Sequence, residues 1–392
     1  MILEDAAMKK FQVTYDYLPE SCLRFCLIFL SIFPENAVIR KRPLIYWWIG
    51  EGLISDEEKG EKIFEELLKH EFIIPHGNGK NPLVKKCTIH PWVRYFLISL
   101  AINAELLRLD SKGVPRFDII SSRRACLLSH DEGLSQLKER NSDDNVRDVS
   151  GKDYKDLRSI FNVNERYISF GLKQLANLEK RKLKVLQLGR WQDLPTHHIE
   201  VVTEAFLKGL WIQKHLKYLS LRGISRITAI PDSVVELTNL EILDLKACHN
   251  LEKLPKDISA LEKLTHLDVS ECYLLESMPL GIDKLTSLEV LKGFVIGNSN
   301  KTPCRIRDLR KLQKLKRLSI QIGSEAIAQE GEFQMLKELK SVLRLKISWC
   351  VVSEEHRYTV EKESFSFHRL WINWTLKVFL VRYYQNGLCQ VL

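Results

Sequence analysis

The chain has 392 residues, 45% hydrophobic and 28% charged, with a formal net charge of +9; these totals fit a soluble globular protein of two or three domains, and the charge excess is compatible with weak affinity for acidic partners but is no argument for nucleic acid. Nine cysteines lack any Cys-x-x-Cys pair, and Met1 to Asp5 lacks the basic start and apolar run of a secretory signal, so reduced thiols and an intracellular, cytoplasmic protein are expected. The nearest approach to a membrane span, 370–384, is short and carries Lys377 and Arg382, which argues against a crossing.

From Lys9 to about Leu107 the pattern predicts short helices followed by a hairpin. Leu23, Cys26, Leu27 and Leu30 fall at i, i+3, i+4 and i+7 on one helical face. Phe33-Pro34-Glu35 ends that helix, because proline disfavours helical geometry in the residue before it. Arg42-Pro43 opens another, with Leu44, Trp47 and Trp48 on its buried side and Gly52 as a stop. Glu58 to Lys69 reads as a third amphipathic helix through Ile63, Phe64, Leu67 and Leu68. Phe72 to Pro75 and Cys87 to Ile89, joined by a polar turn from His76 to Lys80, look like the two strands of a wing.

Residues 108–182 form a bridging segment with irregular first repeats: Ser122 to Leu128 and Leu157 to Ile160 resemble repeat strands. Between them Ser135 to Asp156 is polar, and a solvated loop explains it better than a metal site, because its carboxylates lack the spaced glycine and glutamate of a calcium loop. Leu183/Leu186/Leu188 is a cleaner copy, followed by an expected helix around Val201 to Leu210. Then Leu216/Leu219/Leu221, Leu240/Leu243/Leu245 and Leu264/Leu267/Val269 recur every 24 residues, with Leu288/Leu291 opening another copy. Cys248 and Cys272 share the period and read as core packing. So many apolar positions in phase predict a leucine-rich-repeat solenoid over 183–350, since each unit is too small to bury its own apolar face and must stack on a neighbour. After Leu291 the grid loosens, and Leu315/Leu318/Ile320 and Val342/Leu345/Ile347 resume at 27-residue steps. The basic stretch from Lys301 to Arg317 reads as a solvated convex helix, or as a patch gripping an acidic surface. The tail, 351–392, loses the period and is too apolar for a good cap, which suggests an altered terminus of low order.

The expected class is thus α/β: a helical winged-helix domain over 8–107, then a solenoid with a curved parallel sheet. Alternation along a strand sends Leu219 and Leu221 inward and Tyr218, Ser220 and Arg222 outward. The same reasoning sends Ile242, Asp244 and Lys246, then His266, Asp268 and Ser270, to one concave ligand-facing surface.

The run from Cys26 to Glu35, followed by the tryptophan-rich run from Leu44 to Ile54 and by Phe64 to Leu68 and Phe72 to Pro75, resembles the winged-helix segment of plant nucleotide-binding leucine-rich-repeat immune receptors, of the coiled-coil, non-TIR branch. The resemblance covers roughly residues 8 to 350. In that family the winged helix closes with Met-His-Asp, whose histidine touches the phosphates of bound ADP; here Ile89-His90-Pro91 keeps the histidine and replaces the aspartate. No Gly-x-x-x-x-Gly-Lys-Ser/Thr occurs, so no cofactor is expected for this chain alone. The resemblance places the nucleotide-binding core, which takes ADP or ATP, before residue 1.

What the resemblance implies is a non-catalytic receptor fragment, whose repeats recognise a pathogen effector or a guarded host protein and whose winged helix belongs to an ADP-dependent switch. A plain leucine-rich-repeat signalling scaffold is the alternative. A winged-helix DNA binder fits poorly, because Leu44 to Glu51 is aromatic and apolar rather than basic. An enzyme fits worst: no grouping of nucleophile, base and orienter occurs, nor any metal-ligand spacing.

Overall fold

The computed structural model describes residues 2–77, 84–107, 114–115, 123–127, 157–168, 182–192, 199–201, 207, 209–297, 303–322, 332–350, 377–383 and 389–391, the side chains of 2–7, 349–350, 377–383 and 389–391 excepted. The polar loop expected at 135–156, the tip of the wing and the tail up to residue 376 lie outside these residues. The chain divides into two compact units, one reaching Ile168 and including Leu178–Ile199, the other running from Glu200 onward.

In the first unit α1 (Ile2–Asp16) precedes α2 (Ser21–Ile28), which tightens into a 3-10 turn at Phe29–Ile32. Leu23, Cys26, Leu27 and Leu30 are all buried, as their spacing requires. Pro34 holds Phe33 extended at φ −74°, ψ 141°, which stops the turn. α3 (Lys41–Glu51) ends at Gly52 with φ 77°, the left-handed position where a residue without Cβ fits. The sequence assigns α3 one buried side; instead every residue from Leu44 to Glu51 is buried, because the helix is apolar almost all round. α4 (Glu57–Lys69) starts at Asp56, whose carboxylate accepts the Lys59 N–H at 2.8 Å. Glu57 and Glu58 at its first turn and Lys69 at its last complement the helix dipole.

β1 (Ile39–Arg40), β2 (Ile74–Pro75) and β3 (Lys86–Thr88) form an antiparallel sheet with β3 central, so the expected wing gains a third strand. A helix absent from the sequence reading, α5 (Pro91–Asn103), follows and buries Val93, Phe96, Leu97 and Ala101. The irregular repeats then appear as β4 (Arg124–Leu127) and β5 (Ser159–Asn162), a short β6 (Tyr167–Ile168), and β7 (Val185–Gln187). β4, β5 and β7 pair in parallel, with Arg124, Ser159 and Val185 in register.

The second unit opens with β8 (Glu200–Val201) and has a 3-10 turn at Leu210–Ile212; between them Leu207 and Gly209 are helical, as expected for Val201 to Leu210, and the other residues of that stretch lie outside the described ones. Then β9 (Tyr218–Ser220), β10 (Ile242–Asp244), β11 (His266–Asp268), β12 (Val290–Ile296), β13 (Arg317–Ile322), β14 (Arg344–Cys350) and β15 (Lys377–Tyr383) pair in parallel order. β16 (Cys389–Val391) closes the edge antiparallel to β15, so this part of the tail extends the sheet despite the lost period.

From β9 to β12 the sequence period and the pairing register coincide: Leu219, Leu243, Leu267 and Leu291 are Cα partners in turn. The triplet leucines and Val269 are buried. Cys248 and Cys272 are buried too, and their thiols each donate at 3.1 Å to the carbonyl of Leu221 or Leu245 one repeat back, which seals the turn after the strand. The grid loosens at a bulge between Lys292 and Phe294. Gly293 there has φ 81°, and a Cβ on it would lie 2.6 Å from the Val269 and Ser270 backbone, so only glycine fits. Four of the return limbs carry 3-10 turns, at Asp232–Glu236, Ile282–Lys284, Ile306–Lys311 and Glu332–Glu338; the convex helix expected within 301–317 is one of these short turns.

Candidate functional site

The nine residues expected on the open concave face are mostly not open. Tyr218 and Ser220 are fully buried, Ile242, Asp244, His266, Asp268 and Arg222 are buried, and only Lys246 and Ser270 are half-exposed. Alternation does select them as one face, but that face is tied up by contacts among its own residues. Ser220 Oγ donates to Asp244 at 3.4 Å, the Lys246 N–H donates to Asp244 at 3.1 Å, and the Lys292 ammonium lies 2.7 Å from Asp268. Burial pushes the Asp244 carboxyl up, against the pull of Arg222 and with the neighbouring charge of Asp268 adding to the rise. Burial acts on Asp268 in the same direction, but Lys292 and the Ser270 hydroxyl prevail and hold it at about 2.

The basic stretch also differs from a bare cationic surface. Arg305 makes a buried ion pair with Glu332 at 3.3 Å, Lys311 reaches Asp283 at 2.7 Å, and Lys316 reaches Glu289 at 2.8 Å. Arg310 lies 3.3 Å from Glu338. Each of these pairs bridges neighbouring repeats, so much of the charge works inside the solenoid.

His90 is the N-cap of α5, and Pro91 is that helix's first residue. Its Nδ1 accepts the Trp92 N–H at 3.3 Å. A nitrogen that accepts carries no hydrogen, so the neutral ring has its N–H on Nε2, and the exposed imidazole offers a donor at the positive end of a 13-residue helix. The proline thus fits the helix start even though it removes the aspartate's oxygens.

A second constellation has little sequence signal. Glu51, at the last turn of α3, is buried with its carboxylate fully partnered. Arg124 of β4 donates to Oε2 through Nε at 3.1 Å and Nη2 at 3.0 Å. Trp47 Nε1 donates to Oε1 at 3.2 Å, and the Ser159 hydroxyl of β5 donates to the same oxygen. Around it rings interlock: Trp47 and Phe161 lie 4.6 Å apart, Phe33 and Trp191 4.7 Å, and the Arg124 guanidinium sits 4.5 Å over Phe29. The winged helix and the first repeat strands therefore share one core, fastened by one carboxylate. The available hint was a glutamate inside the apolar run from Leu44 to Ile54.

Comparison with known proteins gives this architecture its place. Residues 32–96 match the winged helix domain of disease resistance proteins, and residues 156–381, more than half of the chain, match the leucine-rich repeat region family. Disease resistance RPP13-like protein 4 of Arabidopsis thaliana is 28% identical over 350 residues, covering 88% of this chain and 38% of its own length. Disease resistance protein RGA4 of Oryza sativa subsp. japonica is 26% identical over 234 residues, covering 58% of this chain and 21% of its own. Disease resistance protein PIK6-NP of the same species is 26% identical over 245 residues, covering 60% and 21%. The chain spans about two-fifths or less of the length of these relatives. A winged helix running straight into stacked leucine-rich repeats, matched together along one relative, shows that the chain belongs to the plant disease resistance proteins of leucine-rich-repeat type.

Proposed function

We propose that the chain is the sensing and switch-coupled part of an intracellular plant immune receptor, acting in the cytoplasm by binding rather than by catalysis. The observation that carries this is the order of the two family matches, winged helix then repeats, on a chain that aligns over 88% of its length with a disease resistance protein. In this reading the repeats recognise a pathogen effector or a modified host protein, and recognition shifts a two-state equilibrium of the receptor.

The nucleotide-binding core would lie in the part of the relatives that this chain does not span. His90 suits a phosphate of ADP held by such a core: an exposed Nε2–H donor beside the N-terminus of α5 is a favourable place for an anion. Bound ADP would supply a negative charge whose retention favours the quiet state. The junction at Glu51 would carry movement of the repeats into α3, because Arg124 and Ser159 cannot leave without stranding a buried carboxylate.

The test is a chimera in which this chain replaces the aligned portion of the Arabidopsis relative, expressed in leaf tissue. The intact chimera should be silent, and His90→Ala should produce cell death without a pathogen. A His90→Ala chimera as silent as its parent would remove the switch reading.

A further inference from the structure

We propose that three cations standing before the strands β4, β5 and β7, Arg123, Arg158 and Lys184, form a binding site for a compact polyphosphate: two or three phosphates clustered on one small scaffold, free in solution or as a lipid headgroup. All three belong to the first unit, and each immediately precedes its strand. Arg158 and Lys184 follow the buried Leu157 and Leu183. The backbone holds the three in register, since the Arg158 N–H donates to the Arg123 carbonyl and the Lys184 N–H to the Arg158 carbonyl, both at 2.7 Å. Arg123 is exposed and the other two are half-exposed.

The same position in the second unit shows what this register does to side chains. There the N–H groups of Glu241, Thr265, Glu289 and Lys316 each donate at 2.8 Å to the carbonyl of the counterpart one repeat back. Lys217 reaches Glu241 at 2.5 Å, and Lys316 reaches Glu289 at 2.8 Å. Neighbours at this position are thus within ion-pair reach, and the second unit uses that reach to pair opposite signs. In the first unit the position holds three cations in succession, and none of their side chains has an ionic or hydrogen-bonding partner among the described residues. The Glu51 carboxylate is taken by Arg124, the residue after Arg123. Like charges on adjacent strands repel, so the row costs stability, and an anion bound across it removes that cost.

Charge density decides which anion. Neighbouring strands lie about 4.8 Å apart, so the three backbones fall within about 10 Å. A phosphomonoester carries about −1.5 to −2 at pH 7 on three acceptor oxygens, and the guanidinium forks of Arg123 and Arg158 match it bidentately. An extended polypeptide shows one side chain per face every ~6.8 Å, each with a single charge, so it brings about two charges to a span where two phosphates bring three or more. A nucleic-acid strand needs a track of cations that continues, whereas the pairing seen at this position in the second unit confines the unpaired run to three strands.

The experiment is calorimetric titration of the full chain with sodium tripolyphosphate at low ionic strength, where exposed charges act over the longest range. The wild type should bind and gain melting temperature with ligand; Arg123→Gln with Arg158→Gln should weaken binding roughly tenfold or more and abolish that gain. Lys253→Gln with Lys256→Gln removes two exposed cations of the second unit and should leave affinity unchanged, as should His90→Ala. If the double variant fails to fold, Arg123→Gln alone, at an exposed position, carries the test through a smaller loss. Sedimentation with vesicles containing a phosphatidylinositol bisphosphate separates the sources: retention by the wild type and not by the double variant assigns a headgroup, and tripolyphosphate binding without retention assigns a soluble ligand. Absence of tripolyphosphate binding, equal loss in both double variants, loss in His90→Ala, or tighter binding of oligo-glutamate or oligothymidine of equal charge would overturn the proposal. Each of these outcomes is independent of whether the chimera signals, so failure of this site and failure of the receptor reading are told apart.

Discussion

Asp244 and Asp268 occupy register partners on β10 and β11, yet their surroundings drive them apart. Asp268 is held at about 2 because Lys292 and Ser270 outweigh its burial. A carboxyl whose folded pKa lies below its unfolded one stabilises the fold above the unfolded value, and the contribution is lost as pH falls through the folded value. Asp268→Asn should therefore lower stability by about 2 kcal/mol at pH 7. In urea titrations the deficit should shrink as pH drops from about 4 toward 2. Asp244 has the opposite sign: its raised pKa contributes stability at low pH that disappears as pH rises through it. Asp244→Asn should leave stability at pH 7 unchanged or raised. A larger loss from Asp244→Asn than from Asp268→Asn at pH 7 would show that the charges are assigned the wrong way round.

At the scale of elements, the turn after each strand repeats as faithfully as the leucines. Gly223, Ala247 and Glu271 stand 24 residues apart with φ of 70°, 60° and 65°. The N–H groups of Gly223 and Ala247 donate at 2.8 Å to carbonyls one repeat ahead, those of Lys246 and Ser270. Only glycine adopts this left-handed geometry without strain, so Ala247→Gly should stabilise by roughly 0.5–1 kcal/mol, the relief of strain exceeding the added freedom of the unfolded chain. A denaturant midpoint that falls instead would sink that account. The leucine grid was legible because one period, repeated, left few alternatives for Leu216 to Leu291. α5 was legible in principle: a proline after a capping residue, then Val93, Phe96, Leu97 and Ala101, is a helix signature hidden behind the attention His90 draws. Burial of Tyr218 and Ser220 was not legible, because alternation assigns a side chain to a face of a strand and says nothing of how much solvent that face meets.

For the whole molecule, the consequence lies in where compactness divides. The first unit holds α1 to α5 together with β4, β5 and β7, while β9 to β16 belong to the second. Removing the Glu51 side chain strands Arg124 and Ser159 in a buried site, a change worth about 3–5 kcal/mol when one partner of a buried pair is lost. Glu51→Ala should move a single thermal transition of the first unit to lower temperature. Amide exchange should speed up through α3, β4 and β5 and stay slow through β9 to β13. Uniform acceleration across all strands would mean that the repeats unfold as one body. The sequence could not announce this junction, since Glu51 and Ser159 are 108 positions apart and belong to no motif.

Because Leu219, Leu243, Leu267 and Leu291 are both periodic and paired, a whole rung can be duplicated without disturbing its neighbours. A genetic copy of one complete rung would slot between existing ones and lengthen the wall. An insertion of any other size within the regular stretch would throw its leucines out of phase, unless a glycine kink like that at residue 293 absorbed the difference. Tandem gain and loss of intact rungs is thus an inexpensive route by which such a wall diversifies.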